Sequence, residues 1–124
     1  MQESQEALLE ECSARLAASE AKQAFKYLVE HGSRLQGFKC SLRRQGYLLT
    51  YRYETSQAWP YGFIVNRSSL LFYFRKAGLS NPAASLEALH SFQTVRRNAR
   101  GELQVRVSTE PEAKSLMKQV FGNV

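Results

Sequence analysis

The sequence predicts a single α+β domain: a mainly antiparallel sheet of about six strands, with an N-terminal helical segment, a short middle helix and a C-terminal helix packed on one face. Three observations lead there. Helical periodicity is confined to the two ends and one short internal stretch, and the middle is a series of short alternating runs rich in aromatic residues. The length of 124 residues suits one core and is short for two. The domain therefore spans residues 1–124, as an acidic helical segment (1–33), a basic sheet region (34–106) and a C-terminal helix (107–124).

From Ser4 to about His31, Leu8, Leu9, Cys12 and Leu16, and then Ala21, Ala24, Phe25 and Leu28, recur at three- and four-residue steps. Ser4 is the expected N-cap, Glu6 suits the first turn, and Gly32 is expected as the C′ residue. The apolar stripe changes phase at Ser19-Glu20, so the segment reads equally as one helix or two. Four strand-like runs follow: GFKCSLRR, YLLTYRYE, YGFIVNR and SLLFYFRK, with Gln45-Gly46, TSQAWP and Arg67-Ser68 between them. They predict an antiparallel meander. Leu70, Phe72 and Phe74 on one face with Leu71 and Tyr73 on the other suggest a central strand buried on both sides.

In AGLSNPAASLEALHSF, Asn81 as cap, Pro82 at the first position and Leu86 and Leu89 as apolar face predict the middle helix. VRRNARGELQVRVS, residues 95–108, reads as two strands folded back through Asn98-Ala99-Arg100-Gly101. Its Glu102 is expected to pair across the strands with Arg97 or Arg96. The last helix has Ser108 or Thr109 as cap, Pro111 and two glutamates in its first turn, Leu116, Met117, Val120 and Phe121 inward, and Gly122 at its end.

Charge is distributed unevenly. Residues 1–33 hold six glutamates and three cations, whereas residues 34–106 hold twelve cations and three glutamates. The chain contains no aspartate, which removes the residue that most magnesium and phosphoryl-transfer sites rely on. Cys12 and Cys40 have no metal-ligand or redox spacing and read as small buried hydrophobes. His31 and His90 lie far apart in sequence. There is no GxSxG elbow and no glycine-rich phosphate loop, and Glu112-Ala113-Lys114 has no partner to complete a nuclease site. No catalytic residue, metal ligand or cofactor is assigned, and a non-enzymatic protein is expected. No apolar run reaches the roughly 18 residues of a membrane span, and the acidic N-terminus lacks the features of a secretory signal. A cytoplasmic protein without a membrane partner is the expectation.

The remaining signal is a basic sheet. Lys39, Arg43, Arg52, Arg75, Arg97 and Arg106 are expected to share its solvated face, interleaved with Tyr47, Tyr51, Tyr53, Trp59, Tyr61 and Tyr73. This predicts a nucleic-acid-binding module. Arg43, Arg44, Arg52, Arg75, Lys76, Arg96, Arg97, Arg100 and Arg106 would neutralise phosphates, and Trp59 or exposed tyrosines would stack on bases. The alternative is an adaptor whose N-terminal helices mediate homodimerisation or docking while the basic sheet meets an acidic protein. A small-molecule pocket between helices and sheet, lined by Trp59 and tyrosines, stays open as well.

The run from Ser69 to Gly122, LLFYFRK followed by NARGELQVRVSTEPEAKSLMKQVF, resembles small uncharacterised bacterial domains that occur alone or attached to restriction endonucleases and other DNA-processing proteins. The resemblance covers under half the chain and supplies no catalytic residues. It implies a setting in DNA metabolism or defence.

Overall fold

The computed structural model describes residues 3–92 and 95–122. The phase shift at Ser19-Glu20 is a break between two helices, α1 (Gln5–Arg15) and α2 (Ser19–Ser33). Ser4 caps α1 by accepting from the Ala7 N–H at 3.0 Å. The Ala17 N–H donates to the Arg67 carbonyl at 2.7 Å, which holds the break against the loop before the fourth strand. Gly32 is not the residue that closes α2. It lies buried inside the helix, where an added Cβ would sit 2.5 Å from the Tyr51 hydroxyl, so its small size serves close packing.

Six strands follow among the described residues: β1 (Lys39–Gln45), β2 (Leu48–Glu54), β3 (Tyr61–Val65), β4 (Leu70–Phe74), β5 (Val95–Arg97) and β6 (Leu103–Val107). Every pairing is antiparallel, and the sheet order is β1-β2-β3-β4-β6-β5. The β1–β2 connection is the two-residue loop Gly46-Tyr47, for which Gly46 takes a φ of 62°. Helix α3 (Glu110–Phe121) starts with a full capping box: Thr109 accepts from the Glu112 N–H, and Glu112 accepts in return from the Thr109 N–H.

The predicted middle helix is absent from the described residues. A single 3₁₀ turn at Lys76–Gly78 is followed by turns through residue 92. So short a segment gains little from helix formation alone; Asn81 makes the local bond of a cap, but no helix follows it among the described residues. Its Oδ1 accepts from the Ala83 N–H, while its Nδ2 donates to the Tyr61 hydroxyl at 2.9 Å and the Val120 carbonyl at 3.0 Å. Leu89 is buried as expected, but Leu86 is half exposed.

Directly paired residues share a face of the sheet. The rows Cys40-Tyr53-Tyr61-Phe74-Leu103 and Leu42-Tyr51-Phe63-Phe72-Val105 form the core side. Phe25 of α2 meets Phe63 edge-on at 6.1 Å, and Phe121 of α3 stacks on Tyr53 at 5.7 Å. Helix α1 lies along β1, with Leu8 and Cys12 buried. Cys12 is buried as expected and Cys40 only half-buried, and desolvation pushes each thiol up to about 11.

Candidate nucleic-acid interface

The other side of the sheet carries the rows Arg43-Thr50-Ile64-Leu71-Arg106 and Ser41-Arg52-Gly62-Tyr73-Gln104-Arg96. Among the described residues no helix covers it. Adjacent strands lie about 4.8 Å apart, so Arg43 and Arg106, four strand spacings from each other, bracket a width of about 19 Å. Arg52 and Arg96 span the same distance one row away. Lys39 opposes Glu54 on this face, and Arg43 reaches Glu54 at 3.8 Å. Arg75, one residue beyond β4, also falls on this side. Arg106 donates to the Ser69 hydroxyl at 2.6 Å and Arg96 to Gln104 Oε1 at 3.0 Å, so both guanidinium groups are held by neutral partners.

Two predicted members belong elsewhere. Arg97 pairs with Leu103 and so lies on the core side of the β5 edge, not on the face shared by Arg43, Arg52 and Arg106. The register Val95↔Val105 fixes this, because alternate residues of β5 point oppositely. Arg44 pairs with Leu49, likewise on the helix side, and its guanidinium is held by Glu3 at 2.6 Å and by Glu11. The same contact keeps the Glu3 carboxyl below the usual carboxylate range. Glu102 pairs with neither Arg96 nor Arg97. It lies 3.8 Å from Arg75 and accepts from Asn98 Nδ2 at 3.1 Å, while Arg97 donates to the Gly101 carbonyl.

The aromatic residues sort just as sharply. Tyr51, Tyr53 and Tyr61 are core residues, so they present no stacking surface. Tyr47 stands 94 % exposed at the β1–β2 tip. Tyr73 faces the basic side but is buried, and burial pushes its hydroxyl up to about 12.

Trp59 is held by two cations. The Arg52 Cζ lies 4.0 Å from its ring centroid and the Arg75 Cζ 3.7 Å. Contacts of this kind contribute roughly 0.5–2 kcal/mol each. The preceding turn positions the ring: the Thr55 hydroxyl accepts from the N–H groups of Gln57 and Ala58, and the Thr55 N–H donates to the Ala58 carbonyl. Arg75 is fixed twice, its N–H donating to the Pro60 carbonyl at 2.8 Å and its Nη1 to the Trp59 carbonyl at 3.2 Å. Gly62 leaves a gap in the middle of β3 that the Tyr73 side chain occupies, and Tyr73 meets Trp59 edge-on at 6.5 Å.

This clamp is the feature the sequence did not disclose. The signal was present as a lone tryptophan in TSQAWP between two strands ending near arginines, but no period links residues 52, 59 and 75.

Among the described residues no three histidine, cysteine or glutamate side chains converge as metal ligands, and no helix is long and apolar enough to cross a membrane. Comparison with protein-family models, with curated proteins and with solved structures returns no match.

Proposed function

We propose that this chain is a non-enzymatic cytoplasmic module that binds nucleic acid across the uncovered face of its sheet, in a setting of DNA processing or defence. The observation that carries the reading is the register. It puts Arg43, Arg52, Arg96 and Arg106 on one side of a surface about 19 Å across, with Lys39 and Arg75 beside them and only Glu54 and Glu102 to offset them among the described residues. Among the described residues the partners of Arg52, Arg96 and Arg106 are an indole, a glutamine and a serine, which leave the guanidinium charge unneutralised.

The adaptor reading draws less support. Several polar groups at the N-terminal end are engaged within the chain, Glu3 and Glu11 on Arg44, Gln5 on Leu42 and Arg15 on the Tyr47 carbonyl, while Leu9 and Glu10 stay exposed.

Fluorescence anisotropy with labelled single- and double-stranded DNA and RNA over a salt series tests the proposal. Engagement of all six cations gives a slope of log K against log salt of about −4 on single strands and about −5.5 on duplex. No affinity for any of these at about 50 mM salt overturns it.

A further inference from the structure

Beside the Trp59 clamp the surface turns inward. A cleft of about 500 Å³ opens between the Trp59 loop, the 3₁₀ turn and the β5–β6 turn, lined by Trp59, Arg75, Lys76, Arg100 and Glu102. Its size lies within the range of sites that enclose a small group. The turn side of the cleft is fixed by Asn98. Its Oδ1 accepts from the N–H groups of Arg100 and Glu102 at 3.0 and 2.9 Å, its Nδ2 donates to Glu102 Oε1, and its N–H donates to the Glu102 carbonyl. The two sides thus meet as preformed elements.

The charges in the cleft do not balance. Arg75, Lys76 and Arg100 face one carboxylate, and Glu102 spends one oxygen on Asn98 while the other stays 3.8 Å from Arg75 Nε. That separation is too long for a direct hydrogen bond, so Arg75 Nε can take a better acceptor while Nη1 stays on the Trp59 carbonyl. Lys76 and Arg100 are exposed at the rim.

We infer that this cleft seats the terminal phosphate of a nucleic-acid strand lying on the sheet face. The inference rests on the nucleic-acid reading above. A continuous backbone passes over a flat face and presents one charge per phosphodiester. A terminal phosphate monoester carries about −1.5 to −2 and three acceptor oxygens, which suits three cations around a concavity at the side of that face.

The test uses the full chain and labelled single strands of about 12 nucleotides, identical except for a 5′-phosphate, a 3′-phosphate or hydroxyls at both ends. One phosphorylated strand is expected to bind about tenfold tighter than the hydroxyl-ended strand, the scale of one added charge-assisted contact. The double variant Lys76→Ala/Arg100→Ala is expected to erase that preference, whatever it does to the affinity for the hydroxyl-ended strand. Both side chains are exposed, and circular dichroism confirms that the fold is kept. Equal affinity for all three strands overturns the inference and leaves nucleic-acid binding standing. A preference that survives in the double variant overturns the location. A 5′-mononucleotide that binds as tightly as the phosphorylated strand makes the cleft a nucleotide pocket and overturns it too. No binding of any strand at about 50 mM salt overturns both readings together.

Discussion

The side-chain amide of Gln5 pairs with the backbone of Leu42 in both directions, its Nε2 donating to the carbonyl at 2.9 Å and its Oε1 accepting from the N–H at 2.8 Å. One residue of α1 thereby imitates a neighbouring strand at the β1 edge. Uncovered edges invite pairing with other chains, and a helix laid along the edge blocks it. Gln5→Ala is expected to leave two backbone groups unpaired and to lower stability by about 1–2 kcal/mol. Urea denaturation measures that loss, and sedimentation velocity is expected to show more concentration-dependent self-association than in the parent chain.

Gly62 has no room for a side chain. An added Cβ would lie 2.8 Å from the Tyr51 carbonyl and 2.6 Å from the Tyr73 Cζ. The carbonyl belongs to the paired strand β2, and Tyr73 packs against Trp59, so neither yields easily. Gly62→Ala is expected to cost about 1–3 kcal/mol by overpacking. It should also weaken oligonucleotide binding, because the displaced Tyr73 disturbs the Trp59 clamp. Thermal unfolding and anisotropy read the two effects separately.

His31 gives the fold a pH dependence of definite sign. Its ring is buried near Tyr27 and Phe121, with centroids 5.8 Å from each. Burial first, and the Arg34 charge second, hold its pKa below the ordinary value. The unfolded chain therefore binds this proton at a higher pH than the folded one. The His31 contribution is complete above about pH 6.5 and is lost as pH falls through the window between the ordinary and the lowered value. In the parent chain the urea midpoint should decline as pH drops below about 6.5, and His31→Gln should flatten that decline.

The two sides of the sheet predict opposite outcomes for arginine substitutions. Arg106→Ala removes a cation from the uncovered face and is expected to reduce the magnitude of the salt slope by about 1 while weakening binding several-fold. Arg44→Ala and Arg97→Ala remove cations from the core side and should leave both affinity and slope unchanged. Arg44→Ala is expected to show its effect in stability instead, because Glu3 and Glu11 lose their partner. Salt titrations of the three variants make the comparison.

Most of the architecture was legible because local rules agreed with the global packing. Alternation in YLLTYRYE separated Leu49, Tyr51 and Tyr53 from Thr50 and Arg52, although not which set faces the core, and Thr109 with Pro111 and Glu112 marked the start of α3. The rules failed where a residue serves a distant partner. Asn81 has the composition of a cap, yet its amide ties β3 to α3. Gly32 has the composition of a helix stop, yet it makes room for Tyr51. Half of the candidate site was readable from alternation alone, since Arg52 and Arg106 fall opposite their apolar neighbours. The positions of Arg97 and Arg44 depend on pairing register and on α1, which the chain order does not disclose. The convergence of Arg52, Trp59 and Arg75 depends on a loop conformation that no periodicity encodes.

Trp59 is the only tryptophan in the chain, and two guanidinium groups lie within 4.0 Å of its ring centroid. Its ultraviolet emission thus originates where an anion would have to compete for Arg52 and Arg75. Any ligand that draws either cation off the indole alters that signal, so unmodified protein in a cuvette reports occupancy of the interface without a dye or a tag.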